Sequence, residues 1–148
     1  MGLLTPSGGK AWEHWVDSPG DESDAVVKVL SAPFGGVYVF GSSTGSLPTQ
    51  PSTAKGHRFV AKYTLDGRQA WLRQSADFGK PTTHENNLHD QTPSAFDVDA
   101  EGNVYVVATV MVRGKPRNGH VTLANLTKLD RNGKKVWRKR IAVDVSSL

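Results

Sequence analysis

The chain has no cysteine among its 148 residues. That excludes disulfides, thiolate metal sites and a cysteine nucleophile. No apolar run approaches the roughly 20 residues a helix needs to cross a bilayer. Met1 to Pro6 carries neither a basic stretch nor an apolar one, so no signal peptide is expected. No segment repeats its apolar residues at the helical period, so no significant helix is predicted. Also missing are a G-x-S-x-G elbow, a Walker loop and a dinucleotide fingerprint. These absences remove the common motifs of hydrolases and nucleotide enzymes. No enzymatic activity and no cofactor are expected.

What is present suits a globular chain. Hydrophobic residues make up 37% and charged residues 22%, a balance that argues against disorder. Gly (15) and Pro (8) are plentiful, as many turns between short strands require. The formal net charge is +4 and the sequence pI is about 9.5. Much of the excess lies in Lys128 to Arg140, whereas Asp17 to Asp24 is acidic. That asymmetry permits an anionic partner without requiring one.

Hydrophobic patterning predicts strands at Trp12–Val16, Ala25–Leu30, Val37–Phe40, Arg58–Thr64, Gln69–Gln74, Ala95–Asp99, Val104–Met111, His120–Leu129 and Val136–Val143. Val37–Phe40 and Val104–Met111 are apolar at nearly every position. Successive side chains of a strand point to opposite faces, so both are expected to be covered on two sides. Polar loops rich in Gly, Pro and Ser separate the strands.

One pattern occurs three times. Leu129-Asp130-Arg131-Asn132-Gly133 leads to Trp137, Leu65-Asp66-Gly67 to Trp71, and Pro6-Ser7-Gly8 to Trp12. In each copy Gly precedes Trp by four positions. Trp12 and Trp71 are 59 positions apart, and Trp71 and Trp137 are 66 apart. Periodicity on this scale marks a repeat architecture. With four short strands per repeat, the chain reads as one leading outer strand and two full repeats. The expected organisation is one β-repeat domain over 1–148. It divides into an N-terminal strand region at 1–16, a first blade at 25–75 and a second at 94–143.

Asp99-Ala100-Glu101-Gly102-Asn103-Val104-Tyr105-Val106-Val107, with Asp130 to Gly133 and Trp137 beyond, resembles the bacterial β-propeller repeats called SBBP. Gly36 to Gly41, Phe59 to Tyr63 and Asp66-Gly67 resemble them too. The Gly-to-Trp spacing is distantly similar to quinoprotein propellers. The resemblance implies an all-β propeller of two blades plus one N-terminal strand. It also implies a structural or binding scaffold, secreted or on the cell surface. Complete propellers have about four to eight blades. The missing ones would come from other copies of the chain or from the rest of a larger propeller. A face-to-face β-sandwich of two sheets is the alternative.

Several residue sets invite a site. Gly8, Trp12, Gly67, Trp71, Gly133 and Trp137 are assigned to the fold, because they recur with the repeat. Trp15 lies outside that register and is the better candidate for an exposed aromatic. Asp97, Asp99 and Glu101 with Gly102 imitate the start of a calcium loop. The positions that should complete it are Tyr105 and Ala108, so a hairpin turn is the expected reading. Asp17, Asp21, Glu22 and Asp24 read as a solvated acidic loop. His84, Glu85, His89 and Asp90 have the residue types of a metal-assisted hydrolase but match no spacing that would converge them. No metal site is therefore expected. Arg131, Lys134, Lys135, Arg138, Lys139 and Arg140 surround Trp137, with Lys134, Lys135, Arg138 and Arg140 the candidate contacts. Cations interleaved with an aromatic can track phosphates, so the alternative function is a carbohydrate- or polyanion-binding module that uses loop aromatics and this basic outer strand, with nucleic acid not favoured. On an outer strand they also deter edge-to-edge pairing.

Overall fold

The computed structural model describes residues 2–4, 6–13, 15, 19, 24–54, 56–79, 94–113 and 120–144. Ten strands run β1 (Gly2–Leu4), β2 (Lys10–Glu13), β3 (Asp24–Ser31), β4 (Val37–Ser43), β5 (Arg58–Tyr63), β6 (Gln69–Gln74), β7 (Ser94–Val98), β8 (Val104–Arg113), β9 (His120–Leu129) and β10 (Lys135–Asp144). Short 3-10 turns sit at Ser52–Ala54 and Ala76–Phe78. β1 and β2 form a small antiparallel ribbon. The rest make two separate four-stranded antiparallel sheets, in the orders β3-β4-β5-β6 and β7-β8-β9-β10.

Local chemistry builds these sheets. β4 and β5 alternate two apolar sets, so each strand serves two faces. Three hairpins share one turn. In each, a Gly N–H donates to the carbonyl three residues back: Gly67 to Thr64, Gly102 to Asp99 and Gly133 to Asp130. The Gly has φ of 86°, 84° and 78° respectively, the left-handed region that side chains avoid. The Asp130 carboxylate accepts from the Asn132 and Lys134 N–H groups, which holds the turn closed.

Two cores result. Tyr38, Phe40, Val60 and Trp71 of the first sheet pack against Phe96, Val104, Val106 and Leu129 of the second, with Phe78 at the margin. Phe40 and Phe96 stack with ring centres 5.5 Å apart. The opposite face of the first sheet presents Val39, Phe59, Ala61, Tyr63 and Leu72, covered by Leu47 and by Trp12 of β2. Burying each large side chain contributes about 1.5–3 kcal/mol. Polar links join the same layers: Tyr38 Oη donates to the Gly102 carbonyl at 2.8 Å, and Lys28 Nζ to the Phe96 carbonyl at 3.0 Å.

This arrangement corrects the propeller expectation. The chain is an all-β, two-sheet sandwich, and neither two blades of a ring nor an SBBP-type propeller. The physical reason lies in what covers the apolar faces. The first sheet is covered on one side by the second sheet and on the other by β2 and the Leu47 segment. Among the described residues the second sheet buries one face only. On the other, Tyr105, Val107, Leu126 and Lys128 are half-exposed. The two sheets are separate four-stranded units packed on one another, with no ring of blades. The expected ring of copies, the remainder of a larger propeller and the scaffold role fall with it, and so does the secreted or cell-surface placement drawn from that resemblance. The leading element is also a two-stranded ribbon rather than one outer strand.

Burial leaves a pH signature. Tyr63 is fully buried, and the loss of water around its phenol pushes its pKa up to about 12. Tyr38 is shifted up for the same reason, reinforced by Asp99. The folded state therefore favours the neutral phenols. Stability is complete below the ordinary tyrosine pKa of about 10 and declines as pH rises from there towards about 12. Tyr63 alone accounts for roughly 2–3 kcal/mol of that decline. An absorbance titration should show these two tyrosines ionising only together with unfolding. Their ionisation near pH 10 with near-UV dichroism intact would contradict this.

Candidate surface on the open face of the second sheet

The three repeat tryptophans have different surroundings. Trp12 Nε1 donates to the Leu65 carbonyl at 2.8 Å, and its ring lies on Gly67. Trp71 Nε1 donates to the Arg131 carbonyl at 2.9 Å, and its ring lies on Gly133. Each therefore reaches from its own strand to a hairpin turn of the next sheet. Trp137 has no such turn to meet among the described residues. Among the described residues its indole N–H has no hydrogen-bond acceptor, and the ring is half-exposed. Gly8 has a positive φ, and among the described residues no atom lies within 4 Å of where its Cβ would stand.

Strand register sets the neighbours of Trp137. Asp97 of β7 pairs with Tyr105 of β8, Tyr105 with Lys128 of β9, and Lys128 with Trp137 of β10. These four side chains share a row on the open face, because directly paired residues point the same way. The next row is Ala95, Val107, Leu126 and Lys139. The Tyr105 and Trp137 ring centres are 6.2 Å apart at an interplanar angle of 57°. Lys128 Nζ lies 5.4 Å from the Tyr105 centre, and Lys139 Nζ 5.5 Å from that of Trp137. Cations over aromatic faces are attracted by the ring quadrupole, so each ammonium is held in place while still solvated. Tyr105 Oη donates to Asp99 Oδ2 at 3.0 Å, fixing the ring at its far end.

The basic residues named from the sequence divide between two faces. A register shift between Lys135 and Trp137 places Lys135 opposite Leu129, Arg138 opposite Thr127 and Arg140 opposite Asn125. These three lie on the side facing the first sheet. Arg138 Nη1 and Lys135 Nζ donate to the two carboxylate oxygens of Asp77, at 2.8 and 3.3 Å. Burial raises the Asp77 pKa, but the hydrogen bonds from Arg138 and Lys135 outweigh it and hold the carboxyl below its usual range. Arg140 Nε donates to Asn125 Oδ1 at 2.9 Å. Lys134 stands in the turn without a carboxylate partner among the described residues.

Lys128 and Lys139 belong to the basic stretch that the sequence shows around Trp137, but Tyr105 and the alignment of these residues in neighbouring rows were not picked out. Their signal was the period of two across paired strands, which emerges only once the pairing is known. The calcium-like stretch forms the expected turn: Asp99 Oδ1 accepts from the Glu101 and Asn103 N–H groups, and its Oδ2 from Asn103 and Tyr105. Among the described residues no three of His, Cys, Asp and Glu are grouped to hold a metal. Asp17, Asp21 and Glu22, and the His84 to Asp90 set, lie outside the described residues. Asp24 begins β3. Trp15 is exposed, at 76%. Among the described residues no helix is long and apolar enough to cross a membrane. Compared with known proteins, the chain matches no family model and no curated protein.

Proposed function

We infer that this protein is a non-catalytic binding module for an acidic polysaccharide, which it receives on the open face of the second sheet. The observation that carries this reading is Trp137. Its indole is half-exposed, lacks an acceptor among the described residues, and stands between an aromatic neighbour and two ammonium groups. A sugar ring presents a weakly polar C–H face that stacks on Tyr or Trp. Its hydroxyls accept from an indole N–H, and its carboxylate or sulfate is met by lysine. An open sheet face lined by successive side-chain rows suits an extended chain better than a compact ligand. Lys128 and Lys139 lie at the Trp137 end of the face and Asp97 and Asp99 toward β7, so an acidic glycan is favoured over a neutral one at the Trp137 end.

The test is retention on immobilised heparin, with a neutral glucan as control. The native chain should be retained and eluted by salt, since exposed ion pairs are screened. Trp137→Ala should weaken binding by about tenfold, the loss of one stacked ring with its hydrogen bond. The pair Lys128→Gln and Lys139→Gln should reduce the dependence on salt. Charge reversal of Arg138 and Arg140, which face the other way, should have the smaller effect provided the sheet stays folded. Retention unchanged by both the Trp137 and the lysine variants would sink this reading.

A further inference from the structure

We propose that the cleft between β6 and the β9–β10 hairpin binds a small organic carboxylate with a ring-sized apolar body. The cleft encloses about 400 Å³, within the range of small-molecule sites. Its apolar wall includes Phe78, Leu129 and Pro51. Arg73, Lys134 and Lys135 contribute three positive charges to the lining and Asp77 one negative charge, leaving a net +2.

Most polar groups in the lining are already engaged. Gln74 Oε1 accepts from the Leu47 N–H, and its Nε2 donates to the Gly45 and His57 carbonyls. Both Asp77 oxygens are held by Arg138 and Lys135, so the carboxylate is neutralised where it stands. Arg73 donates from Nε to the Gly133 carbonyl and from Nη1 to that of Leu72, and has no carboxylate partner among the described residues.

Thr127 is the exception. It lines the cleft, is fully buried, and its Oγ1 has no hydrogen-bond partner among the described residues. A buried hydroxyl without a partner is costly, and valine would fill the same volume without that cost. A ligand oxygen placed there would accept from Thr127 while its negative charge faces Lys134 and Arg73. Its apolar body would rest on Phe78 and Leu129. Charge, hydroxyl and apolar wall together specify a carboxylate on a ring or short hydrocarbon, and no single one of them does.

This site is separate from the open face of the second sheet and does not depend on it. The test is titration of the full isotope-labelled chain, followed by amide resonances, with three probes: benzoate, benzyl alcohol and inorganic phosphate. Benzoate should give saturable shifts at Phe78, Thr127 and Gly133. Benzyl alcohol lacks the charge and phosphate lacks the apolar body, so both should bind more weakly. Thr127→Val should fold with undiminished stability and bind benzoate about tenfold more weakly, the loss of one hydrogen bond to a charged group. Lys134→Gln, at an exposed position, should lose about threefold. Trp137→Ala should leave benzoate binding unchanged. No saturable benzoate shift, equal binding by Thr127→Val, or phosphate binding as tight as benzoate would each overturn the proposal.

Discussion

Replacing Trp71 by Ala is expected to cost about 3–5 kcal/mol of folding stability, in the range of large aromatic truncations in cores. Trp71 is 8% exposed and packs in the core shared by the two sheets, with the Tyr38 ring 6.0 Å away. Its indole also holds the Arg131 carbonyl, so truncation removes a cross-sheet hydrogen bond together with the packing. The contact has a second partner that makes the prediction sharper. A Cβ on Gly133 would lie 2.6 Å from Cδ2 and 2.7 Å from Cε3 of Trp71, at a φ of +78°. Gly133→Ala should therefore cost about 2–4 kcal/mol, from overpacking and left-handed strain together. In the Trp71→Ala background the ring is gone and only the strain is left, about 1–2 kcal/mol. The two changes should be non-additive by about 1–2 kcal/mol in a denaturant double-mutant cycle. Simple additivity would mean that the ring does not press on the turn.

The second large effect is expected at Gly36. Gly35 and Gly36 are adjacent, with φ of 97° and 91°, so left-handed strain is alike at both. Their surroundings differ. A Cβ on Gly36 would overlap the Tyr63 carbonyl oxygen and come within 3.3 Å of Thr64 Cα, all of it backbone. That backbone cannot retreat, because Tyr63 is paired with Val37 in the β4–β5 ladder. On Gly35 the added atom would meet only the Leu65 side chain, at 3.1 Å, and Leu65 is exposed and can turn away. Gly36→Ala should cost at least about 3 kcal/mol, and Gly35→Ala about 1–2 kcal/mol. Chemical denaturation of the two variants side by side checks this. Equal losses would show that φ alone governs both positions.

The strands were legible because their determinants are local. Val37 to Phe40 is apolar at every position and is indeed covered on both faces: Tyr38 and Phe40 enter the inter-sheet core, and Val39 the other. The same argument misled at Val104 to Met111. Val104 and Val106 are buried, but Tyr105 and Val107 are half-exposed. An apolar pair of faces says that a strand could be covered twice. It does not say that the chain has enough material to cover it. The exposed valines of β3, at 45–60%, make the same point from the other side. Ala25 to Leu30 has the composition of a core strand yet lies at a sheet edge.

The candidate surface was half legible. Trp137 and the basic residues after it stood out in the sequence, but only pairing shows that Lys139 belongs with Trp137 while Arg138 and Arg140 point to the first sheet. The register shift between Lys135 and Trp137 decides which cations face which way, and no composition argument reports it. Asp77 offered no sequence signal at all. It is 58 residues before Lys135 and 61 before Arg138, and the two sheets bring them together.

By itself, then, the sequence determined the eight strands of the two sheets, the turns at Gly67, Gly102 and Gly133, and the recurring Gly and Trp positions, but not β1, and it expected Trp12–Val16 where β2 runs over Lys10–Glu13. Alternation along a strand and a positive φ at a turn depend on neighbours a few positions away. The tertiary structure decided how many faces each sheet covers, and hence that two sheets close on one another without further blades. It also decided that Trp12 and Trp71 find a carbonyl and a glycine turn in the next sheet while Trp137 finds neither among the described residues. Those outcomes depend on contacts between residues more than fifty positions apart, and identical local motifs carry no information about which copy will be left open.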